Sequence, residues 1–262
     1  MTTSDEPSVT GSSFWDHLDA LRSTIVRMLV AVLAAACVCF CFKEWMFSLL
    51  LAPSQPDFPA YRLLAFFSES AQSFHVDLFN PQLTQQFVVH IKASFAFGVL
   101  LVSPYLVFSL FHFIAPALYT AERRPTVRAA TGGFVMFLAG VVLSYFLIFP
   151  LTFRFLGTYQ VDPTIPNIIA LDDYMSLLFA VSMLMGILFE LPILAWLLAK
   201  VRLIQAHTMR HFRRHAIVAI LIIAAIITPT GDPFTLTIVA LPIYLLYEFS
   251  IFIVNRTTDH LR

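Results

Sequence analysis

YMSLLFAVSMLMGILFELPILAWLLA, residues 174–199, is the stretch that decides the fold. Its 26 residues hold one acidic or basic side chain, Glu190. It shows no alternation of polar and apolar positions and no turn signal, so neither a half-buried strand nor a loop fits it. A helix needs about 20 apolar residues to cross a bilayer core of about 30 Å, and this stretch exceeds that length.

Working outward, five more apolar segments stand at residues 24–42, 87–113, 129–149, 216–228 and 233–254. The second and the 174–199 segment are long enough to tilt or to extend beyond the core. The fifth, 216–228, spans only about 20 Å as a helix. It forms either two short crossings with the next segment, which we favour, or a re-entrant hairpin turning at Thr228-Pro229-Thr230-Gly231-Asp232-Pro233. The reading is an all-α, polytopic membrane protein, a single domain over residues 1–262. It has six transmembrane helices in a curved, open bundle, with short fifth and sixth spans.

Composition agrees. Of 262 residues, 59% are hydrophobic and 12% charged, with a mean hydropathy of +0.81. A soluble enzyme is nearer a quarter charged, so that class is excluded along with disordered chains. Sixteen Lys and Arg balance sixteen Asp and Glu, so no net field points to nucleic acid. Cys37, Cys39 and Cys41 lie two apart inside one apolar run, which suits packing or lipid contact better than metal or redox chemistry. Acidic Asp5, Glu6, Asp16 and Asp19 precede the first span where a cleavable signal would be basic, so that span is expected to be retained.

Orientation follows from Lys and Arg. Arg22, Arg27 just inside the first span, the 114–128 and 200–215 connections and the tail make twelve, including the cluster Arg210, Arg213 and Arg214; the opposite side carries Lys43, Arg62 and Arg154. This bias places both termini in the cytoplasm. Residues 43–86 and 150–173 are then external loops, large enough together to cap the outer end of the bundle. Prolines 104, 192 and 242 lie inside spans, where each removes a donor, so bends are expected there.

Glu190 is the most informative single residue. It precedes Lys200 by ten residues, about 15 Å along a helix. A carboxyl at that depth costs about 2.5–3.5 kcal/mol on insertion scales. It is read as a polar docking point for a ligand, an ion or a partner helix, or as a protonated group satisfied within its own bundle. Glu248 lies close enough to its span end to reach the interface. Lys92 is expected to snorkel outward, and Asp232 to cap the next helix or bind a ligand. Glu122 stands in a charge cluster with Arg123 and Arg124. His207, His211 and His215 fall on one helical face, but the surrounding arginines favour anionic lipid headgroups over a metal. No catalytic or nucleotide-binding signature is present, so neither an enzyme nor a cofactor is expected.

Several motifs go further. Phe14-Trp15-Asp16-His17-Leu18-Asp19-Ala20-Leu21-Arg22 and Ser103-Pro104-Tyr105 are followed by Phe113-Ile114-Ala115-Pro116-Ala117-Leu118-Tyr119-Thr120-Ala121-Glu122-Arg123-Arg124. Tyr145-Phe146-Leu147-Ile148-Phe149-Pro150, Gly186-Ile187-Leu188-Phe189-Glu190-Leu191-Pro192, Thr228-Pro229, Leu241-Pro242 and Tyr247-Glu248 come after. In this order they resemble the TatC family, the multi-span core subunit of the twin-arginine protein translocase.

The resemblance implies a scaffold that binds twin-arginine signal peptides of folded precursors at the cytoplasmic face. It implies an oligomeric complex with single-span TatA- and TatB-type partners, driven by the proton-motive force. Signal-peptide contact then falls to Glu122, Asp19, Asp16, Arg22 and Phe113, and partner-helix contact to Glu190 and Thr228. Pro53, Tyr145, Asp232 and Glu248 are further candidates. An arginine pair is read best by aimed carboxylates, which accept the guanidinium fork in two parallel bonds.

One departure stands out. The family's opening motif reads His-Leu-x-Glu-Leu-Arg, and its glutamate falls on Ala20 here. Asp16 lies one turn earlier on Ala20's face and Asp19 is adjacent, so either is expected to replace it. The rival reading is an ion-coupled small-solute transporter using Glu190 and Glu248.

Overall fold

The computed structural model describes residues 12–65, 78–118, 123–160, 162, 167–228 and 232–259. Eleven α-helices occur among them: α1 (Ser12–Phe40), α2 (Lys43–Leu51), α3 (Pro59–Ala65), α4 (Gln85–Leu118), α5 (Arg123–Leu143), α6 (Phe149–Thr158), α7 (Leu171–Leu188), α8 (Leu191–Lys200), α9 (Ala206–His211), α10 (Arg213–Ile227) and α11 (Pro233–Asp259). The strands described are a two-residue parallel pair, β1 (Leu78–Phe79) with β2 (Ile169–Ala170). The expected all-α class is observed.

Five helical stretches are long and apolar enough to cross a membrane: Leu18–Phe40, Gln85–Phe113, Ala129–Thr158, Leu171–Lys200 and Pro233–Thr258. They match the segments read from hydropathy, with longer ends. α1 runs on through residues expected to be a cytoplasmic flank, so Asp19 and Arg22 are helical. One expectation is corrected: α11 has 27 residues, about 40 Å, so the last span is not short. α10 is the short one, with 15 residues and about 22 Å.

The third stretch joins α5 to α6 through a π-helical turn at Ser144–Ile148. Pro150 has no N–H to close the bond to Phe146, and the helix widens where that bond is missing. The fourth breaks at Phe189 and Glu190, beside Pro192. There the backbone tightens, with Glu190 N–H donating to Ile187 O at 3.1 Å and Ile193 N–H to Glu190 O at 3.1 Å. Of the three expected bends, this is the one that interrupts a helix; α4 and α11 are continuous through Pro104 and Pro242.

Neighbouring helices pack side by side, with α4, α5 and α7 all in mutual contact. α1 packs chiefly on α4, α4 on α5 and α7, α8 on α11, and α11 on α10. Only 11% of the α1 span is buried, against 33–39% in the other four, which marks α1 as the outermost member. α1 and α4 run antiparallel: Phe40 stacks on His90 at 4.0 Å, while Val32 and Ala36 meet Gly98. A Cβ at residue 98 would lie 2.8 Å from Ala36 N, so the two backbones approach this closely only over glycine.

The described parts of the two long loops pack over one end of these helices. Met46, Leu50, Phe58 and Tyr61 of the first loop are buried in one cluster with Ile148, Phe149, Phe153 and Tyr174. Two phenols tie α2 down: Tyr174 donates to Leu50 O at 2.8 Å and Tyr145 to Leu49 O at 2.6 Å. Tyr61 donates to the carbonyl of buried Pro53 at 2.7 Å, and burial pushes its phenol well above the ordinary range.

Candidate functional site

Two places on this frame collect the candidate residues. The first is the far end of the α1–α4 pair. From the contact of Val32 and Ala36 with Gly98, the antiparallel register sets Asp19 level with roughly residues 111–115 of α4. Asp19, Ala20 and Arg22 are exposed, and Phe113 on α4 is half-buried. The backbone of Asp16 continues the same helix one turn earlier. Glu122 lies outside the described residues, four positions beyond the end of α4 at Leu118. Tertiary packing thus gathers Asp16, Asp19, Arg22 and Phe113 at one end of two helices although nearly 100 residues separate them in the chain.

The second place is the break between α7 and α8. Glu190 is 9% exposed, and neither carboxyl oxygen has a hydrogen-bond partner. The side chain turns inward against α5, where a Cβ on Gly133 would lie 2.8 Å from Glu190 Oε2. The same absent Cβ would meet Phe111 at 2.6 Å and Val107 at 2.9 Å, both on α4. Glu190 therefore sits in a slot walled by α4 and floored by the backbone of α5. Gly133 was not among the residues singled out from sequence, because nothing local distinguishes it from its neighbour Gly132.

The remaining candidates separate from these two places. Glu248 is not free: Arg213 at the start of α10 reaches it at 2.6 Å, and Tyr244 donates to it at 3.0 Å. Asp232 caps α11, its Oδ1 accepting from Thr235 N–H at 2.7 Å. Thr228 is buried at the opposite end of α10 from Arg213, and its hydroxyl donates back to Ala224 O at 2.9 Å. Ile226 and Ile227 beside it line a cavity of about 780 Å³ with Phe153, Asp173 and Tyr174, and Glu190 stands about 24 Å further along the same span than Tyr174. Tyr145 and Pro53 belong to the loop cap.

One sequence expectation is extended and another corrected. Lys92 keeps a partly exposed side chain, and its Nζ lies 2.7 Å from Asp172 Oδ1 and 3.4 Å from Ser176 Oγ, joining α4 to the first turn of α7. The single helix expected to carry His207, His211 and His215 is interrupted, since α9 ends at His211 and α10 starts at Arg213. Among the described residues no group of three His, Cys, Asp or Glu could hold a metal ion. Cys37 on α1 and Cys41 just past its end are exposed, and none of the three cysteines is in a disulfide.

Known proteins are similar to this chain in sequence and fold. The family described as "Sec-independent protein translocase protein (TatC)" matches residues 16–242. The TatC protein of Blattabacterium sp. subsp. Periplaneta americana is 32% identical over 250 residues, covering 92% of this chain and 94% of that one. The one from Aquifex aeolicus is 31% identical over 246 residues, covering 93% and 95%. A solved structure, "Crystal Structure of Twin Arginine Translocase Receptor- TatC", is similar with a TM-score of 0.76 at 30% identity, over 92% of this chain and 99% of that chain. The chain belongs to the TatC family, multi-pass membrane components of the Sec-independent protein translocase.

Proposed function

We propose that this protein is the core receptor subunit of a twin-arginine translocase. It binds the arginine pair of signal peptides on folded precursors and assembles with TatA- and TatB-type single-span partners in an oligomeric complex. Transport then draws on the proton-motive force, since the sequence carries no nucleotide-binding signature. The observation that carries this reading is likeness over 92% of the chain to a protein described as a twin-arginine translocase receptor.

Charge bias supports the orientation: twelve Lys and Arg on one side against three on the other put both termini in the cytoplasm. In that orientation residues 1–262 make one membrane domain of six crossings in the inner membrane, α10 being the short fifth. Asp16, Asp19, Arg22 and Phe113 then meet the loop holding Glu122 at the cytoplasmic face. The carboxylates are the fork-shaped acceptors a guanidinium pair requires, and each charge-assisted bond contributes about 1.5–3 kcal/mol. Glu190 and Thr228 are the polar points offered to partner helices, and anionic lipid headgroups lie against Arg210, Arg213 and Arg214.

The test is photocrosslinking in membranes from probes at positions 16 and 122 to a radiolabelled twin-arginine precursor and its twin-lysine counterpart. Crosslinks to the arginine form alone are the expected result. Equal labelling of both, or of neither, overturns the signal-reading role.

A further inference from the structure

We propose that Gly133 is a positioning residue for Glu190, its missing side chain forming the seat that holds the carboxyl inward, between α4 and α5. The inference deepens the reading of Glu190 as a partner contact and rests on it for its functional consequence, though the seat itself rests on geometry alone.

Three observations converge on the seat. Glu190 is more than nine-tenths buried, yet both of its oxygens lack a hydrogen-bond partner, so no polar bond holds the carboxyl where it is. Shape holds it instead. A Cβ at residue 133 would come within 2.6 Å of Phe111 Cε2, 2.8 Å of Glu190 Oε2 and 2.9 Å of Val107 Cγ1. All three are closer than a real Cβ contact, so even alanine fills the space the carboxyl uses. Phe111 is 2% exposed and Val107 is 7% exposed, both packed within the cluster that α4 shares with α5 and α8. Glu190, by contrast, stands at the break between α7 and α8, where two carbonyl bonds are already tightened around it. Of the three groups crowding the site, the end of the glutamate side chain has the most rotatable bonds and the least packing to lose. A side chain at 133 therefore expels the carboxyl before it moves either wall.

The slot conceals the carboxyl without satisfying it. In the seat it is screened from lipid by α4 and α5, and it is available to a partner's polar group only through rotation out of the slot. Gly133 sets that balance. Filling the slot shifts Glu190 outward permanently, whereas a shorter acid withdraws from the new Cβ and stays within the slot.

The experiment uses membranes carrying the complete translocase, with Gly133→Ala, Val107→Ala, Glu190→Asp, and the Gly133→Ala variant combined in turn with Glu190→Asp and with Val107→Ala. One readout is the rate at which a hydrophobic carbodiimide modifies Glu190, followed by mass spectrometry; the other is export of a twin-arginine precursor. Gly133→Ala is expected to speed modification of Glu190 several-fold and to reduce export. Adding Glu190→Asp to it restores export, and adding Val107→Ala does not. Unchanged or slower modification in Gly133→Ala overturns the seat, and so does rescue by Val107→Ala rather than Glu190→Asp, which would make Gly133 a packing residue. Faster modification with undiminished export leaves the seat standing and removes the partner-contact role of Glu190.

Discussion

Arg213 at the head of α10 lies 2.6 Å from the Glu248 carboxylate of α11, which also accepts a hydrogen bond from Tyr244 one turn earlier. This pair joins α10, a helix of 15 residues, to α11, and Asp232 caps the first turn of α11. The head of α10 is thereby tied to α11 by a charged pair. The same pairing removes Glu248 as a free ion ligand, which weakens the ion-coupled transporter reading.

The pair is partly exposed, at 45% for Arg213 and 29% for Glu248, so its contribution is modest. Replacing each by alanine, singly and together, should give a coupling of about 0.5–1 kcal/mol in thermal unfolding of the purified protein. The coupling should shrink as salt is raised. Strictly additive single effects at low salt would refute a stabilising pair.

Glu190 should trade stability for assembly. Glu190→Met replaces an unpartnered buried carboxyl by an apolar chain of similar length, and the isolated protein should gain about 1–3 kcal/mol. Association with single-span partners should weaken by about 1–2 kcal/mol, measured by co-purification from membranes. A methionine variant less stable than the parent contradicts the first half, and unchanged partner recovery contradicts the second.

The loop cap should depend on two phenols to different degrees. Tyr174 is 1% exposed and its hydroxyl bonds Leu50 O, so Tyr174→Phe leaves a buried carbonyl unpaired at a cost of about 1–3 kcal/mol. Tyr145 is less buried, and Tyr145→Phe should cost about 0.5–1.5 kcal/mol. Protease cleavage between α2 and α3 should accelerate in the same order. Equal cleavage rates in both variants and the parent would show that these bonds do not hold the cap.

At the α1–α4 end, the carboxylate missing at Ala20 should be supplied from one turn away. Asp16→Ala is expected to abolish export of a twin-arginine precursor, and Ala20→Glu in the same chain to restore it. Normal export by Asp16→Ala transfers the role to Asp19, whose alanine variant is then the one to lose export.

Hydropathy and length were enough to mark five full spans and the short α10, because transfer into lipid is a sum over neighbouring residues and needs no knowledge of packing. The helix break beside Pro192 was legible for a local reason too, the donor that proline lacks. What lay beyond reach were relations set by how whole helices rotate and slide against one another. The Lys92–Asp172 pair spans 80 residues and the Arg213–Glu248 pair 35, and neither follows from spacing within a helix. Sequence placed three histidines on one face; the chain puts a helix boundary between them. It made the sixth span short, whereas α11 continues past the apolar run to Asp259. Gly133 became informative only when Glu190, 57 positions away, was found leaning on it. Membrane helices that are apolar on every side carry little periodic signal to say which face turns inward. Close contacts at glycines and a few polar pairs therefore decide that rotation, and those exist only in the packed structure.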